Sequence, residues 1–366
     1  MGVETGSFAY LSGHTASEFD ATSQRIVIKG DMSAQVKTAY QKIGAILEAS
    51  GRSYADVIRV VEYLKPEGIE CYGEAAAVRE EVFGAHTPTV NTVPVKSLLR
   101  PDALIEIEIT AATPGAAREN LKTSVNGSES AGVVFLPSIL PTDEGGNVIG
   151  KDDIAGQTEA IFQKAERLLK ALGLGFENVV KTLDYLTSES LENYRATGAV
   201  RKNYLGPVYP AAAGILMPRL IHPDSLIQYD FIASRDEPQA VNPGWSRYEK
   251  LTYSPGVRAG KLLFLAGQGA VNPETGEVEF SDDVVAQGEY IYTNVIKVIE
   301  AAGGDASNLV KTIEYVVPQA LKAYRGIAEV RTKLMREPYP ASTGLVCAAL
   351  LRPQMLLEVD PLAILD

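Results

Sequence analysis

The alternation of apolar and polar residues predicts the same set of elements three times along the chain. In the last third, the apolar run Leu262–Leu265 predicts a strand, and residues 272–277 contain the Pro and Gly of a hairpin turn. Asp283 is a suitable N-cap for a helix whose apolar stripe ends at Gly303. A strand, a second helix and two final strands are then expected over 309–317, 321–335, 342–349 and 355–360. This β-β-α-β-α-β-β order predicts an α+β fold in which two helices cover one face of a sheet.

An internal repeat underlies this threefold pattern. Residues of one type recur at offsets of 122 and then 130 positions, as Gly51, Gly173 and Gly303 do. The same offsets relate Tyr63, Tyr185 and Tyr315; Arg79, Arg201 and Arg331; and Pro88, Pro210 and Pro340. Because the repeat is far longer than a solenoid unit, each copy should have its own core. Residues alike in all three copies are most simply interpreted as scaffold.

The repeat boundaries predict three domains, over 1–113, 119–236 and 244–366. The intervening linkers are polar and contain Pro and Gly. Few residues precede the apolar segment Phe8–Leu11, so the first repeat is expected to lack its first strand. Residues 251–253 are expected to form that strand in the third repeat.

Composition and charge narrow the classes of function. The 366 residues include 46 acidic and 34 basic ones, the net charge is −12, and no run of Lys or Arg suggests a nucleic-acid interface. No apolar stretch reaches about 18 residues, and the start does not resemble a signal peptide. Two cysteines and three widely separated histidines indicate neither a disulfide framework nor a metal site. We expect a cytoplasmic protein with a small-molecule substrate, without a metal, cofactor, membrane or nucleic-acid partner.

Several segments of the third repeat together resemble the Rid family, also called YjgF/YER057c/UK114. The resemblance rests on residues 253–260, 264–268, 272–277, 309–312, 339–341 and 357–360, and it extends over the chain three times. It implies a Rid/chorismate-mutase-like fold. Family members form homotrimers with an inner β-barrel, outer helices and ligand clefts between protomers. The resemblance therefore implies that this chain is an intramolecular pseudo-trimer and a monomer, with a further dimer left open.

The resemblance also implies which positions matter chemically, because Rid enzymes hydrolyse imines and enamines. The family Arg that clamps a substrate carboxylate falls on Val90, Ala212 and Ser342, so all three repeats have lost it. The family Glu that positions water falls on Glu106, Gln228 and Glu358. The Arg of the carboxylate clamp is thus absent from all three repeats, whereas the Glu that positions water is present in two of them.

We predict Glu106, Glu358 and His14 as catalytic candidates, the glutamates as bases toward water and His14 as a proton relay. Residues predicted to bind substrate are Ser12, Thr89, Asn91, Tyr209, Tyr253, Gln268, Tyr339, Ser342 and Thr343. Each of these residue types is also common at strand edges in purely structural roles.

Three functions are compatible with this pattern. The first is a Rid-type hydrolase of an imine, enamine or other C–N bond, with a substrate not held by the usual Arg. The second is a pseudo-trimer that binds a metabolite or partner without catalysis, and the third is a ring-opening hydrolase, lyase or tautomerase. A ribonuclease fits poorly with a net charge of −12.

Overall fold

The computed structural model describes residues 2–365, except the side chains of Ala116 and Ala117. Repeat 1 contains strands β1 (Gly2–Glu4), β2 (Phe8–Leu11), β3 (Glu18–Asp20), β4 (Arg25–Val27), β5 (Val57–Leu64), β6 (Thr89–Pro94), β7 (Ser97–Leu98) and β8 (Ile105–Ala112), and helices α1 (Met32–Ala49), α2 (Pro66–Glu70) and α3 (Tyr72–Phe83). After the short helix α4 (Ala116–Glu119), repeat 2 contains β9 (Lys122–Ser124), β10 (Gly127–Ser130), β11 (Val133–Phe135), β12 (Val179–Thr187), β13 (Ala211–Met217) and β14 (Ile227–Ser234), with helices α5 (Ile154–Ala171) and α6 (Thr197–Tyr204). Repeat 3 contains β15 (Gln239–Val241), β16 (Gly256–Ala259), β17 (Leu262–Leu265), β18 (Gln268–Gly269), β19 (Leu309–Val316), β20 (Ala341–Val346), β21 (Ala349–Leu350) and β22 (Leu357–Ile364), with helices α7 (Val284–Ala301) and α8 (Ile327–Leu334).

The long helix of each repeat is capped by an aspartate at its start and is tied to the last long strand by one buried glutamine side chain. The side chains of Asp31, Asp153 and Asp283 accept hydrogen bonds from the first turns of α1, α5 and α7. One turn later, the buried side chains of Gln35, Gln157 and Gln287 accept from the backbone N–H two residues before Glu106, Gln228 and Glu358, at 2.8, 2.7 and 2.7 Å. These glutamines therefore position the strand that carries the candidate carboxyls. Within residues 2–365, no helix is long and apolar enough to cross a membrane.

Each repeat builds one sheet around its last long strand. In repeat 1 the order is β1-β2-β8-β5-β6, and β5 pairs with β6 in parallel but with β8 antiparallel. Repeats 2 and 3 keep this arrangement in β13-β12-β14-β11-β10-β9 and β15-β16-β17-β22-β19-β20. Each of these two sheets gains an edge strand from another repeat, since β21 of repeat 3 pairs with β13 and β7 of repeat 1 pairs with β20. The apolar stripes of the helices pack on one face of these sheets. The predicted α+β repeat with one helix-covered face is confirmed.

Two expectations about the first strands are wrong. Repeat 1 does contain a strand before Phe8–Leu11, since Gly2–Glu4 pairs antiparallel with it. In repeat 3, residues 251–253 are not a strand; they follow a 3-10 turn over Ser246–Lys250. Their alternating residue types mimic a strand, but Trp245 anchors the segment in the core and folds it back over the sheet.

The inner faces of the three sheets are joined cyclically by buried ion pairs. Each cation comes from one repeat and its acid from the next: Arg59 with Asp230 (3.6 Å), Lys181 with Asp360, and Lys311 with Glu108. A cavity of about 50 Å³ lies among the three cations. The strand pairings of the described residues form three large sheets and the two-stranded sheet β3-β4 rather than one closed barrel, so the closed inner barrel stays a prediction.

Candidate active site

Three clefts form where the parallel strand of one repeat meets the strand end of another. In the first cleft, β6 faces residues 136–138 of repeat 2, and Asn91 Nδ2 donates to Leu136 O at 3.1 Å. In the second, β13 faces residues 266–268, and Gly267 N–H donates to Ala212 O at 3.0 Å. In the third, β20 faces residues 12–14, and Gly13 N–H donates to Thr343 Oγ1 at 3.0 Å. The predicted candidates are therefore distributed over three places.

Two buried carboxyl groups stand out in the second and third clefts. Glu358 is 4% exposed and Glu106 is 8% exposed, and the influences on both carboxyls are burial and neighbouring charges, with no hydrogen bond from the described residues among them. Each one faces a glycine across the strand end. A Cβ on Gly267 would lie 2.3 Å from Glu358 Oε1, and a Cβ on Gly13 would lie 2.1 Å from Glu106 Oε1. The glycines therefore provide the space that the two carboxyls occupy.

The environment of both carboxyls favours their protonated form. Burial raises the pKa of Glu106 to about 8, and the nearby Glu108 adds to this, while Lys42 and Arg100 oppose it. Burial likewise raises the pKa of Glu358 to about 8, with Asp360 adding to the effect. A carboxyl that titrates near neutral pH can both donate and accept a proton during one reaction.

In the third cleft, polar groups of repeats 1 and 3 interlock around Glu106. Ser342 N–H donates to Ser12 Oγ at 3.1 Å, and Arg331 Nη1 donates to Ser342 Oγ at 2.9 Å. The buried Thr343 hydroxyl donates to Glu108 at 2.6 Å. Tyr339, just before β20, is 38% exposed. Ser12, Ser342 and Thr343 thus share a cleft with Glu106, and much of their hydrogen bonding joins the two repeats.

His14 does not lie on the face of the strand that carries Glu106. His14 and Ile107 exchange both backbone hydrogen bonds, at 2.8 and 2.9 Å, so their side chains share a face. That face packs against α1, whereas the neighbouring Glu106 points the other way. Burial lowers the pKa of His14 to about 4, so the ring is neutral near pH 7. This register contradicts the expectation that His14 relays protons in the Glu106 cleft.

Gln268 has the same relation to Glu358. It pairs directly with Val359, which places its side chain on the helix-covered face, opposite to Glu358. Its Nε2 donates to Ala266 O at 3.3 Å. The Gln268 side chain also forms a hydrogen bond with the Tyr248 hydroxyl, on which the charge of Glu358 acts, so the substrate contact expected of Gln268 stays a prediction.

The second cleft contains aromatic residues, one of which the sequence analysis missed. Tyr253 and Tyr248 meet edge to face, with ring centroids 5.5 Å apart. Burial raises the pKa of both phenols, and the charge of Glu358 adds to it, whereas Arg247 lowers both. Tyr248 and Arg247 lie at the start of the predicted third repeat, where the aromatic spacing of Trp245, Tyr248 and Tyr253 was the available signal. Both phenols therefore lie within the electrostatic reach of Glu358.

Small side chains make up the opposite wall of the second cleft. Ala213 Cβ lies 2.8 Å from the position of a Cβ on Gly267, and Ala212 stands where the family Arg would be. The predicted candidate Tyr209 accepts a hydrogen bond through its backbone carbonyl from Ser254 Oγ, at 2.8 Å. The wall thus contributes space rather than charge.

The first cleft is closed by hydrogen bonds. Thr89 and Asn91 are 2% and 0% exposed, and Thr89 Oγ1 donates to Phe135 O at 3.0 Å. Ser138 takes the place of the glycines, and Gln228 takes the place of the glutamates. Gln228 Nε2 donates to the carbonyl of Thr92 at 2.8 Å. Thr89 and Asn91, predicted to bind substrate, therefore join repeats 1 and 2 and lie away from Glu106 and Glu358.

Within residues 2–365, no three His, Cys, Asp or Glu side chains are grouped so that they could hold a metal ion.

Comparisons with known proteins support the threefold internal repeat. A family model described as Endoribonuclease L-PSP matches residues 1–113, 123–234 and 248–365. The RutC family protein y4sK of Sinorhizobium fredii is 36% identical over 110 residues, which are 30% of this chain and 78% of that protein. The 2-iminobutanoate/2-iminopropanoate deaminase of Escherichia coli is 38% identical over 85 residues, 23% of this chain and 58% of that protein. The crystal structure of RidA from a Psychrobacter species matches with a TM-score of 0.32 and 28% identity, covering 35% of this chain and 99% of that one.

Proposed function

This chain belongs to the endoribonuclease L-PSP (Rid) family, and from that premise we propose that it hydrolyses a C–N bond of an imine or enamine in its inter-repeat clefts. Relatives named as imine deaminases support this reaction class. The observation that carries the proposal is the pair of buried carboxyls, Glu106 and Glu358, each facing a glycine and each influenced by burial and neighbouring charges rather than by a hydrogen bond.

The chemistry needs one group that exchanges protons with both the substrate and water. A protonated Glu358 donates its proton to the imine nitrogen, which makes the imine carbon more electrophilic. The resulting carboxylate accepts a proton from the attacking water, whose oxygen bonds to that carbon. Collapse of the carbinolamine breaks the C–N bond, so that an imine and water give a carbonyl compound and ammonia. A pKa of about 8 suits both halves of this cycle near neutral pH.

The three clefts differ in a way that supports two working sites. Gly13 faces Glu106 and Gly267 faces Glu358. In the first cleft, by contrast, Ser138 Oγ accepts a hydrogen bond from the Thr92 N–H, and Gln228 Nε2 donates one to the Thr92 carbonyl. An amide cannot shuttle a proton as a carboxylic acid does. We therefore assign turnover to the second and third clefts and a structural role to the first.

The test is ammonia release from a panel of carboxylated and neutral imines. Glu106→Gln and Glu358→Gln keep the side-chain size, and the natural Gln228 shows that this fold accepts an amide at the position. Each single variant should lose the turnover of one cleft, and the double variant should lose all of it. Turnover that persists in the double variant, or no turnover by the wild type on any imine, would contradict the proposal.

A second candidate function is binding without catalysis. It is favoured by Val90, Ala212 and Ser342, which replace the family Arg in all three clefts. Under this alternative, the wild type and the double Glu→Gln variant would both bind the carbonyl product and neither would release ammonia.

A further inference from the structure

The inner cavity between the three sheets presents more hydrogen-bond donors than the neighbouring acids accept. Its wall contains Arg59, Lys181 and Lys311, which the offsets of 122 and 130 place at equivalent positions of the three repeats. An ammonium group has three N–H donors, yet among residues 2–365 Glu108 is the single hydrogen-bond acceptor that the Lys311 ammonium contacts. Donors are therefore left over on this wall.

Arg59 is the least compensated of the three cations. Its Nη2 lies 3.6 Å from Asp230 Oδ2, whereas both lysines hydrogen-bond directly to their acids. The two partners are held apart by other groups, since Arg59 Nε donates to Asn91 Oδ1 at 2.6 Å and the Ser138 hydroxyl donates to Asp230 Oδ1 at 2.6 Å. No residue of the range 2–365 accepts a hydrogen bond from the terminal nitrogens of Arg59.

The charge of Asp230 is also weakened. Burial raises the pKa of this carboxyl, although Arg59 and the hydrogen bond from Ser138 oppose the shift. The environment thus favours the neutral form of the acid that faces Arg59. The ring of three cations and three acids therefore carries a surplus of positive charge at the joint between repeats 1 and 2.

A buried hydroxyl completes the polar part of the wall. Tyr63 lines the inner cavity and is 0% exposed, and its hydroxyl has no hydrogen-bond partner among residues 2–365. The equivalent hydroxyls of Tyr185 and Tyr315 lie 3.3 Å apart and bond to each other. Because buried polar groups in proteins are almost always hydrogen-bonded, the Tyr63 hydroxyl points to a bound acceptor.

The size and surroundings of the inner cavity limit what this acceptor can be. The volume of about 50 Å³ suits about three water-sized groups, which is enough for a small ion and too little for a metabolite. Most of the remaining wall is apolar, including Phe135 and Phe264. Asp360 and Leu362 are the partly exposed residues of the lining, so a ligand would enter beside them.

We propose that the inner cavity is a binding site for a small monovalent anion, of the size of a halide, held by Arg59, Lys311 and the Tyr63 hydroxyl. An anion matches this wall better than neutral water does, because an uncompensated charge next to apolar side chains is costly. The bound ion bridges cations of repeats 1 and 3 and so stabilises the joint between the sheets. The site is separate from the proposed hydrolase, since neither Glu106 nor Glu358 lines it.

Bromide tests the site because its anomalous X-ray scattering locates it directly. The full chain is crystallised with sodium bromide, and its urea unfolding is followed at increasing bromide, with sodium gluconate keeping the ionic strength constant. We expect an anomalous peak beside Arg59 and a urea midpoint that rises to saturation. Tyr63→Phe should raise the Kd for bromide about tenfold, as for loss of one hydrogen bond to a charged group, and Arg59→Gln should abolish the saturable rise. Tyr290→Phe, on α7 beside the exposed Phe280, is the matched control and should keep the wild-type Kd.

Tyr63→Phe keeps all three ion pairs, so it tests the proposal even if Arg59→Gln does not fold. Density for water alone in the inner cavity at saturating bromide would overturn the proposal. An equal bromide Kd in the wild type and Tyr63→Phe would overturn it as well, because the hydroxyl would then not face the ion. Neither result bears on the hydrolase proposal, which is tested by ammonia release.

Discussion

The raised pKa of the buried carboxyls makes a prediction about stability that does not depend on knowing the substrate. Glu358 releases its proton near pH 8 in the folded protein and near the ordinary value of 4.5 when unfolded. Between these values the folded state binds one more proton than the unfolded state. The contribution of Glu358 to the free energy of unfolding is therefore fully present below pH 4.5 and is lost as the pH rises toward 8.

The size of this effect follows from the pKa difference. One titrating carboxyl gives a slope of about −1.4 kcal/mol per pH unit, and over the whole interval from 4.5 to about 8 the loss is at most about 5 kcal/mol. Glu358→Gln removes the titrating group. The variant should be more stable than the wild type at pH 8, and its stability should fall less steeply with pH.

Urea unfolding at several pH values from about 5 to 8.5 measures these slopes. Glu106→Gln should reduce the slope in the same way, and both substitutions together should remove most of it. Glu329→Gln, on the exposed side of α8, is the control for the loss of one acidic charge. Equal slopes for the wild type and Glu358→Gln would show that the native carboxyl is not held protonated, and the reasoning on the site would be refuted.

Three further predictions concern the clefts and the ring of ion pairs. Gly267→Ala should abolish turnover in the second cleft, because its Cβ would lie 2.3 Å from Glu358 Oε1, whereas Gly73→Ala, with nothing within 4 Å, should leave ammonia release unchanged. Lys311→Met should lower the free energy of unfolding by about 3–5 kcal/mol, and adding Glu108→Leu should restore much of it, which urea denaturation can measure. Gln228→Glu should destabilise the protein by about 1–3 kcal/mol above neutral pH without adding turnover, because it loses a donor to a buried carbonyl; ammonia release above wild type would contradict this.

The scaffold could be predicted from sequence because its signals are periodic or repeated. Identical offsets between repeats identified the glutamines and the central strands, and the alternation of the last strand placed Glu106 and Glu358 on one face. The equivalence of Ser138 with Gly13 and Gly267 was not recognised, because the segment between the early strands and the long helix differs in length. These three residues are 125 and 129 positions apart rather than 122 and 130.

The residues that define the second cleft were harder to predict because they depend on how a linker folds. Trp245 is 7% exposed and packs into the core of repeat 3, which turns the following residues back over the sheet. Tyr248 and Arg247 reach the cleft through that turn, not through any periodic element. The prediction for His14 was wrong because the direction of its side chain is set by a single isolated pair with Ile107, which no periodic pattern in the sequence indicates.

Fusion of the repeats explains why the clefts can differ. In a homotrimer, a change from Gly to Ser opposite the carboxyl would occur in all three clefts at once and would close every site. In this chain Ser138 and Gln228 of repeat 2 occur together in one cleft, where both form hydrogen bonds across the interface to the backbone of Thr92 in repeat 1. The closed cleft stabilises the joint between repeats 1 and 2, and the other two keep the buried carboxyls whose desolvation costs stability. Under the proposed function, one cleft thus serves only as a joint between repeats, whereas the other two join repeats and also keep a buried carboxyl for chemistry.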